Sequence, residues 1–297
     1  MMWFKRITLF GLTNIAVIFV LTVILRLTGL EQYLYSEFGM PIGFWVIIAV
    51  VLGFGGSFIS LLLSKTMAIR ATRAHVIDQP KNEVERWLLG SVAAMARKAN
   101  IATPDVAVYE SPDMNAFATG ASRNKSLVAV STGLLQRMGR DEVEAVLGHE
   151  VAHVANGDMI TMSLLQGVLN TFVIFFSRVI GFVVDKVVFK NERGFGIGYF
   201  ITVIFAQIVL GILATMIVSA FSRWREYRAD AGGAAYKSRG AMISALERLK
   251  AAHEPHDLPD QLKAFGINSG IGGGIKRLFA SHPPIDDRIA ALQNPSR

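Results

Sequence analysis

His149-Glu150-Val151-Ala152-His153 sets two imidazoles four residues apart with a carboxylate between them. On a helix this spacing puts both imidazoles on one face, one turn apart, where they can share a metal ion at about 2.0–2.1 Å. Glu150 lies about 100° round the helix from His149, so it can approach a water beside the metal without ligating the ion. That is the chemistry of metal-assisted hydrolysis, with Glu150 as general base and proton carrier. A catalytic zinc of this type takes three protein ligands and leaves a fourth position open. No histidine follows closely, which argues against a ligand set completed by a third histidine. Glu226, in Glu226-Tyr227-Arg228-Ala229-Asp230, is the candidate third ligand; the competing reading pairs it with Arg223 or Arg225. Asp230, four residues on, shares its face and can orient a ligating imidazole. The chain has no cysteine, which excludes disulfides, thiolate zinc sites and a cysteine nucleophile.

These residues need elements to hold them. The motif helix is expected to begin at Asp141 as N-cap, with Glu144 completing a capping box. Val143, Val146, Leu147, Val151 and Val154 recur at helical spacing, and Gly157 supplies the stop. Asn82 to Asn100 reads as an amphipathic helix. Val106–Tyr109 and Leu127–Val130 read as short strands, with Asn115–Thr119 a third, at an edge. After Ser222 one helix is expected from Arg225 to about Tyr236 and another from Ala241 to Ala252. Gly266–Gly274 is a glycine-rich connector with no phosphate-loop pattern. His75, His253 and His256 read as surface residues.

Of 297 residues 52% are hydrophobic, and the excess is concentrated in four charge-free runs: Ile7–Leu25, Phe38–Ser64, Met159–Ser177 and Gly194–Ser222. A helix needs roughly 20 apolar residues to cross a ~30 Å hydrocarbon core. Spans are therefore expected at about 7–27, 40–64, 159–181 and 197–222. The third is complete only if Arg178 snorkels from its end. Lys5 and Arg6 precede the first run, which is too long for a signal peptide and reads as a retained anchor. Most of the 30 basic residues fall near the N-terminus, in Lys65–Asp158 and after Ser222, while Thr28–Pro41 has none. The positive-inside rule then puts both termini and the middle segment in the cytoplasm. The net charge of +7 is explained by topology, and a nucleic-acid role loses its support. The organisation is two spans (1–64), a catalytic segment (65–158), a membrane hairpin (159–222) and a second catalytic segment (223–297), the two segments sharing one core.

The stretches His149–Asp158, Glu226–Asp230 and Ser281–Arg288, with Asn115–Ala118 upstream, together resemble the HtpX family of bacterial heat-shock membrane zinc metalloproteases, which is related to the eukaryotic CAAX prenyl protease. The resemblance covers nearly the whole chain, including the four spans. It implies an α-helical integral membrane protein with four transmembrane helices. Its catalytic domain would be zincin-like, mainly α in an α+β arrangement with a small β-sheet. It also implies one Zn2+ per subunit, Glu226 as the third ligand, and a cytoplasmic active site at the bacterial inner membrane. The partners would be the lipid bilayer and misfolded or damaged membrane proteins and unfolded polypeptides, in stress-response quality control overlapping with FtsH. His282, with Arg288 in support, is the candidate donor to the oxyanion; the alternative makes His282-Pro283-Pro284 a rigid turn. Asn115, Ala116 and Phe117 are the candidate substrate strand, pairing with an extended peptide; the alternative is a plain core strand.

Overall fold

The computed structural model describes residues 42–191, 195–253 and 278–294, with scattered positions between 15 and 36. The expected first span, the glycine-rich connector and His256 lie outside the continuously described residues. The elements are α1 (Ile42–Thr72), β1 (His75–Val76), α2 (Glu83–Lys98), β2 (Asp105–Tyr109), β3 (Ala116–Ser122), β4 (Lys125–Ser131) and α3 (Thr132–Arg137). They continue with α4 (Arg140–Asn156), α5 (Asp158–Val187), α6 (Ile197–Tyr236), α7 (Arg239–His253) and α8 (Ile285–Gln293). The chain divides into two compact units, 1–60 with 161–218, and 61–160 with 219–297.

The described residues of the first unit are mainly apolar helix. Among the described residues α1, α5 and α6 are long and apolar enough to cross a membrane. Small residues let α1 and α5 approach closely, as membrane helices do when lipid offers them no hydrophobic drive. A Cβ on Gly167 would lie 2.8 Å from the Phe54 ring, and Gly53 sits directly against Thr171. At the turn between α5 and α6 the buried Asp185 carboxylate accepts the N–H groups of Gly196 (2.9 Å) and Tyr199 (3.1 Å) and the Asn191 amide (2.9 Å). It thereby satisfies donors that the start of a helix leaves unpaired.

The second unit holds a four-stranded sheet in the order β1-β2-β4-β3. β2 and β4 run parallel; β1 and β3 pair antiparallel at the two edges. Alternation along the strands feeds two faces. Val106, Val128 and Val130 join Leu88, Val92, Leu147, Val151, Met242 and Leu246 in the main core, where α2, α4 and α7 converge. Ala107, Tyr109, Leu127 and Ala129 face the other way, against Ala74. Gly120, at φ 139°, carries the irregularity near the end of β3, where the Lys125 carbonyl leaves no room for a side chain.

Three expected boundaries are corrected. The N-cap of α4 is Gly139, two residues before Asp141, and Glu142 accepts the Gly139 N–H at 2.8 Å. Glycine has no side chain to reciprocate, so this is half a capping box. Glu144 is occupied elsewhere: it accepts from Trp87 (2.7 Å), Ser91 (2.9 Å) and Lys237 (2.6 Å), fastening α4 to α2 and to the residue just after α6. No separate helix begins after Ser222. α6 runs unbroken for 40 residues, because the change from apolar to charged side chains at Arg223 removes no backbone hydrogen bond. Likewise α1 continues past Ser64 to Thr72.

Candidate metal centre

α4 carries His149, Glu150 and His153 on its buried side; each is less than a tenth exposed. It stops at Gly157, whose φ of 75° suits glycine and whose N–H closes onto the carbonyls of His153 and Val154. α6 crosses α4 at almost bare backbone. A Cβ on Gly148 would meet the Gly233 Cα at 3.2 Å, and one on Gly233 would meet the Ala145 carbonyl oxygen at 2.9 Å and the His149 nitrogen at 3.1 Å. Gly232 lies as closely on Ala152. This approach lets Asp230 and Glu226, about one and two turns before Gly233, reach the imidazoles.

The three groups His149, His153 and Glu226 converge and are buried. His149 Nε2 and His153 Nε2 lie 3.1 Å apart, with ring planes at 87°. Glu226 Oε1 is 3.3 Å from His153 Nε2, and Glu226 Oε2 is 3.5 Å from His149 Nε2. Ligands held at 2.0–2.1 Å in a tetrahedron stand about 3.4 Å from one another, so the donor set fits one zinc-sized ion. The Glu226 side chain is fully buried, and its Oε1 has no hydrogen-bond partner. A buried carboxylate oxygen without a hydrogen-bond donor is costly, and a cation held between it and the two imidazoles would offset that cost. The site's preference for positive charge is visible in His149. Burial pushes its pKa down, but Asp230 and Glu226 outweigh this and bring it to about 9. His153 is raised as well, burial again opposing and Asp158 and Glu226 prevailing.

A ring of partners surrounds the three groups. Asp230 Oδ1 stands 2.9 Å from His149 Nδ1, an ion-pair contact short of hydrogen-bond geometry, so that Nδ1 has no hydrogen-bond partner. The buried Arg288 grips Asp230 with both prongs, Nε at 2.7 Å and Nη2 at 2.5 Å. Asp158 Oδ2 lies 2.7 Å from His153 Nδ1. His282 Nδ1 lies 2.8 Å from Glu226 Oε2, with its side chain 60% exposed. Arg225 reaches across with Nη1 3.3 Å from His153 Nδ1 and Nη2 3.6 Å from Glu226 Oε1, anchored on the Ser222 hydroxyl.

The structure thus gathers His149, His153, Glu226, Asp230, His282 and Arg288 around one point. Arg288 grips Asp230 and also comes to 3.7 Å from Glu226 Oε2, the oxygen that His282 Nδ1 meets at 2.8 Å. Asn115 precedes β3; its N–H donates to Ser131 Oγ at 3.0 Å and its carbonyl accepts the Ser131 N–H at 2.9 Å. Ala116 and Phe117 pair with Val130 and Ala129, and β3 has no second strand neighbour among the described residues. The Phe117 ring packs on Tyr109 at 5.6 Å. Asp158 is a partner that sequence reasoning passed over, whereas Arg225 was named there as the competing partner of Glu226 and does approach it. The signal for Asp158 was available: an acid straight after a helix-stopping glycine, about one turn beyond a candidate ligand histidine.

The family model of peptidase family M48 matches residues 82–296. Protease HtpX of Alkalilimnicola ehrlichii is 60% identical over 293 residues, 97% of each chain. Protease HtpX of Thioalkalivibrio sulfidiphilus is 59% identical over 290 residues, 97% of this chain and 98% of the relative. In fold the chain is similar to Ste24p of S. mikatae, with a TM-score of 0.61 at 18% identity, over 96% of this chain and 67% of that one.

Proposed function

The chain belongs to peptidase family M48, and from that membership we propose that His149, His153 and Glu226 hold one Zn2+ and that Glu150 is the general base for cleaving peptide bonds. The enzyme is a metalloprotease, a hydrolase, and a multi-pass membrane protein. The observation that carries the zinc reading is the 3.1–3.5 Å spacing of the three donor groups about one buried point.

Zinc, when bound, supplies a Lewis acid that polarises the peptide carbonyl and eases deprotonation of water. Glu150, one residue from His149, takes the proton of the attacking water and returns it to the leaving amine. Asp230, gripped by Arg288, and Asp158 hold the two imidazoles with their Nε2 atoms inward. His282 supports Glu226 through Nδ1 and, with its ring exposed, offers its other nitrogen to the developing oxyanion. Asn115, Ala116 and Phe117, at the free edge of β3, receive the substrate as an added strand, so recognition runs largely through backbone. The second unit is then a zincin-like catalytic domain, and the first span completes four transmembrane helices. The positive-inside rule, applied to the basic segments, favours a cytoplasmic position for both termini and the site, and the bacterial relatives favour the inner membrane. Misfolded or damaged membrane proteins and unfolded polypeptides are the substrates, in quality control overlapping with FtsH.

Replacing Glu150 by Gln tests this reading. The variant should bind one zinc per chain and cleave an unfolded substrate such as casein on the order of 100–10,000-fold more slowly. Zinc-loaded Glu150→Gln protein that cleaves at the wild-type rate would show that the proposed base is wrong.

A further inference from the structure

A cavity of about 590 Å3 opens beside the metal centre, between α6 and residues 280–287. Its walls are chiefly Trp224 and Tyr227 on one side and Pro283, Pro284 and Ile285 on the other, with His282 between them. We propose that this cavity is the subsite for a large apolar side chain, such as Phe or Leu, next to the bond being cleaved. The proposal rests on the protease reading above and names the substrate feature that the same site selects.

Three observations carry it. First, His282 belongs to both places: its Nδ1 holds Glu226 Oε2 at 2.8 Å while the residue lines the cavity. An occupant therefore lies one imidazole away from a proposed zinc ligand. Second, the lining is aromatic and aliphatic and still uncovered. Trp224 is 54% exposed and Tyr227 36%, so an apolar side chain seated there would find aromatic surface that the protein itself leaves uncovered. Third, the walls are braced against collapse. Arg223, the basic residue in the lining, donates from Nη1 to the carbonyls of Ala280 (2.8 Å) and Leu278 (3.3 Å), and Ser219 donates to that of Phe279 (3.2 Å). Its guanidinium is thus turned to the protein's own backbone, and Asp287 in the lining disfavours an acidic occupant. Backbone pairing at β3 fixes the direction of the chain; this cavity chooses where along it the cut falls.

The test uses the full-length, zinc-loaded protein in detergent and peptides that differ at one position beside the cleaved bond. Phe or Leu there should give a kcat/KM on the order of 10–100-fold above Ala, with Asp lowest. Ala220→Phe, which fills the cavity from exposed α6 surface, should reverse the Phe-to-Ala ratio. Trp224→Ala should bring it towards about 1. Peptide binding to Glu150→Gln protein should show the same order without turnover. Phe-to-Ala ratios that stay at the wild-type value in both cavity variants, at full zinc content, would overturn the subsite while leaving the protease intact. Zinc-loaded wild-type protein that cleaves none of the peptides would instead overturn the protease reading, and the subsite with it.

Discussion

Gly233→Ala isolates what the helix crossing contributes to the metal centre. The added methyl meets Met242 Sδ at 2.8 Å, the Ala145 carbonyl oxygen at 2.9 Å and the His149 nitrogen at 3.1 Å. Met242 can turn its flexible end away, but the other two atoms are backbone of α4. Restoring ordinary contact requires α6 to retreat from α4 by about 0.5 Å at this point. A metal ligand tolerates only about 0.2 Å of displacement, and Asp230 and Glu226 ride on the helix that moves. Overpacking costs about 1–3 kcal/mol, and replacing a helix-interior glycine returns about 1 kcal/mol, so folding loses about 0–2 kcal/mol. Zinc affinity should fall on the order of 10–100-fold, the range seen when ligand orientation is disturbed. Competition against a chromophoric chelator measures that affinity, and thermal unfolding of the metal-free protein measures the folding cost. Gly90, exposed on α2 with nothing within 4 Å of a built Cβ, is the control; Gly90→Ala should leave zinc affinity alone and add about 0.5–1 kcal/mol. A Gly233→Ala protein that binds zinc as tightly as the wild type would refute the claim that close helix approach sets the ligand geometry.

Asp158→Asn removes the carboxylate behind His153 and should weaken zinc binding on the order of 10–100-fold, read in the same chelator competition; unchanged affinity would reduce Asp158 to a helix-start residue. Glu144 gives a pH prediction. Burial pushes its pKa up, but Lys237, Trp87 and Ser91 prevail and hold it below the usual carboxylate value of 4.5. A depressed carboxylate stabilises the fold above its unfolded pKa and loses that contribution as pH falls through the folded value. The wild type should therefore lose stability below about pH 4.5, and Glu144→Gln should lose less over the same window, measured by urea unfolding at a series of pH values.

The parts of the site readable from sequence are those set by a single helix. His149, Glu150 and His153 lie within one turn of α4, and Asp230 lies one turn from Glu226, so helical spacing alone places each group. What no spacing contains is the pairing of those helices. The Gly148 and Gly233 contact, which decides whether Glu226 reaches His149, joins residues 85 positions apart. Asp158 escaped for a related reason: it returns to His153 through the left-handed Gly157, so no helical period links the two. The cap of α4 was misplaced because two acids compete for the role; Glu142 takes it and Glu144 is claimed by Trp87, Ser91 and Lys237. The β-formers Phe117 and Thr119 suggest a strand at an edge, where β3 lies, whereas the order β1-β2-β4-β3 requires a parallel pairing that local pattern does not encode.

The grip of Arg288 on Asp230 has a consequence in time. Synthesis runs from the N-terminus, and Arg288 follows His153 by 135 residues, which at 5–20 residues per second takes roughly 7–27 s. Throughout that interval the nascent chain carries its histidines but lacks the fork that fixes Asp230 against one of them. A candidate centre whose brace is made this long after its histidines lacks that contact while the chain's own unfolded segments are most exposed.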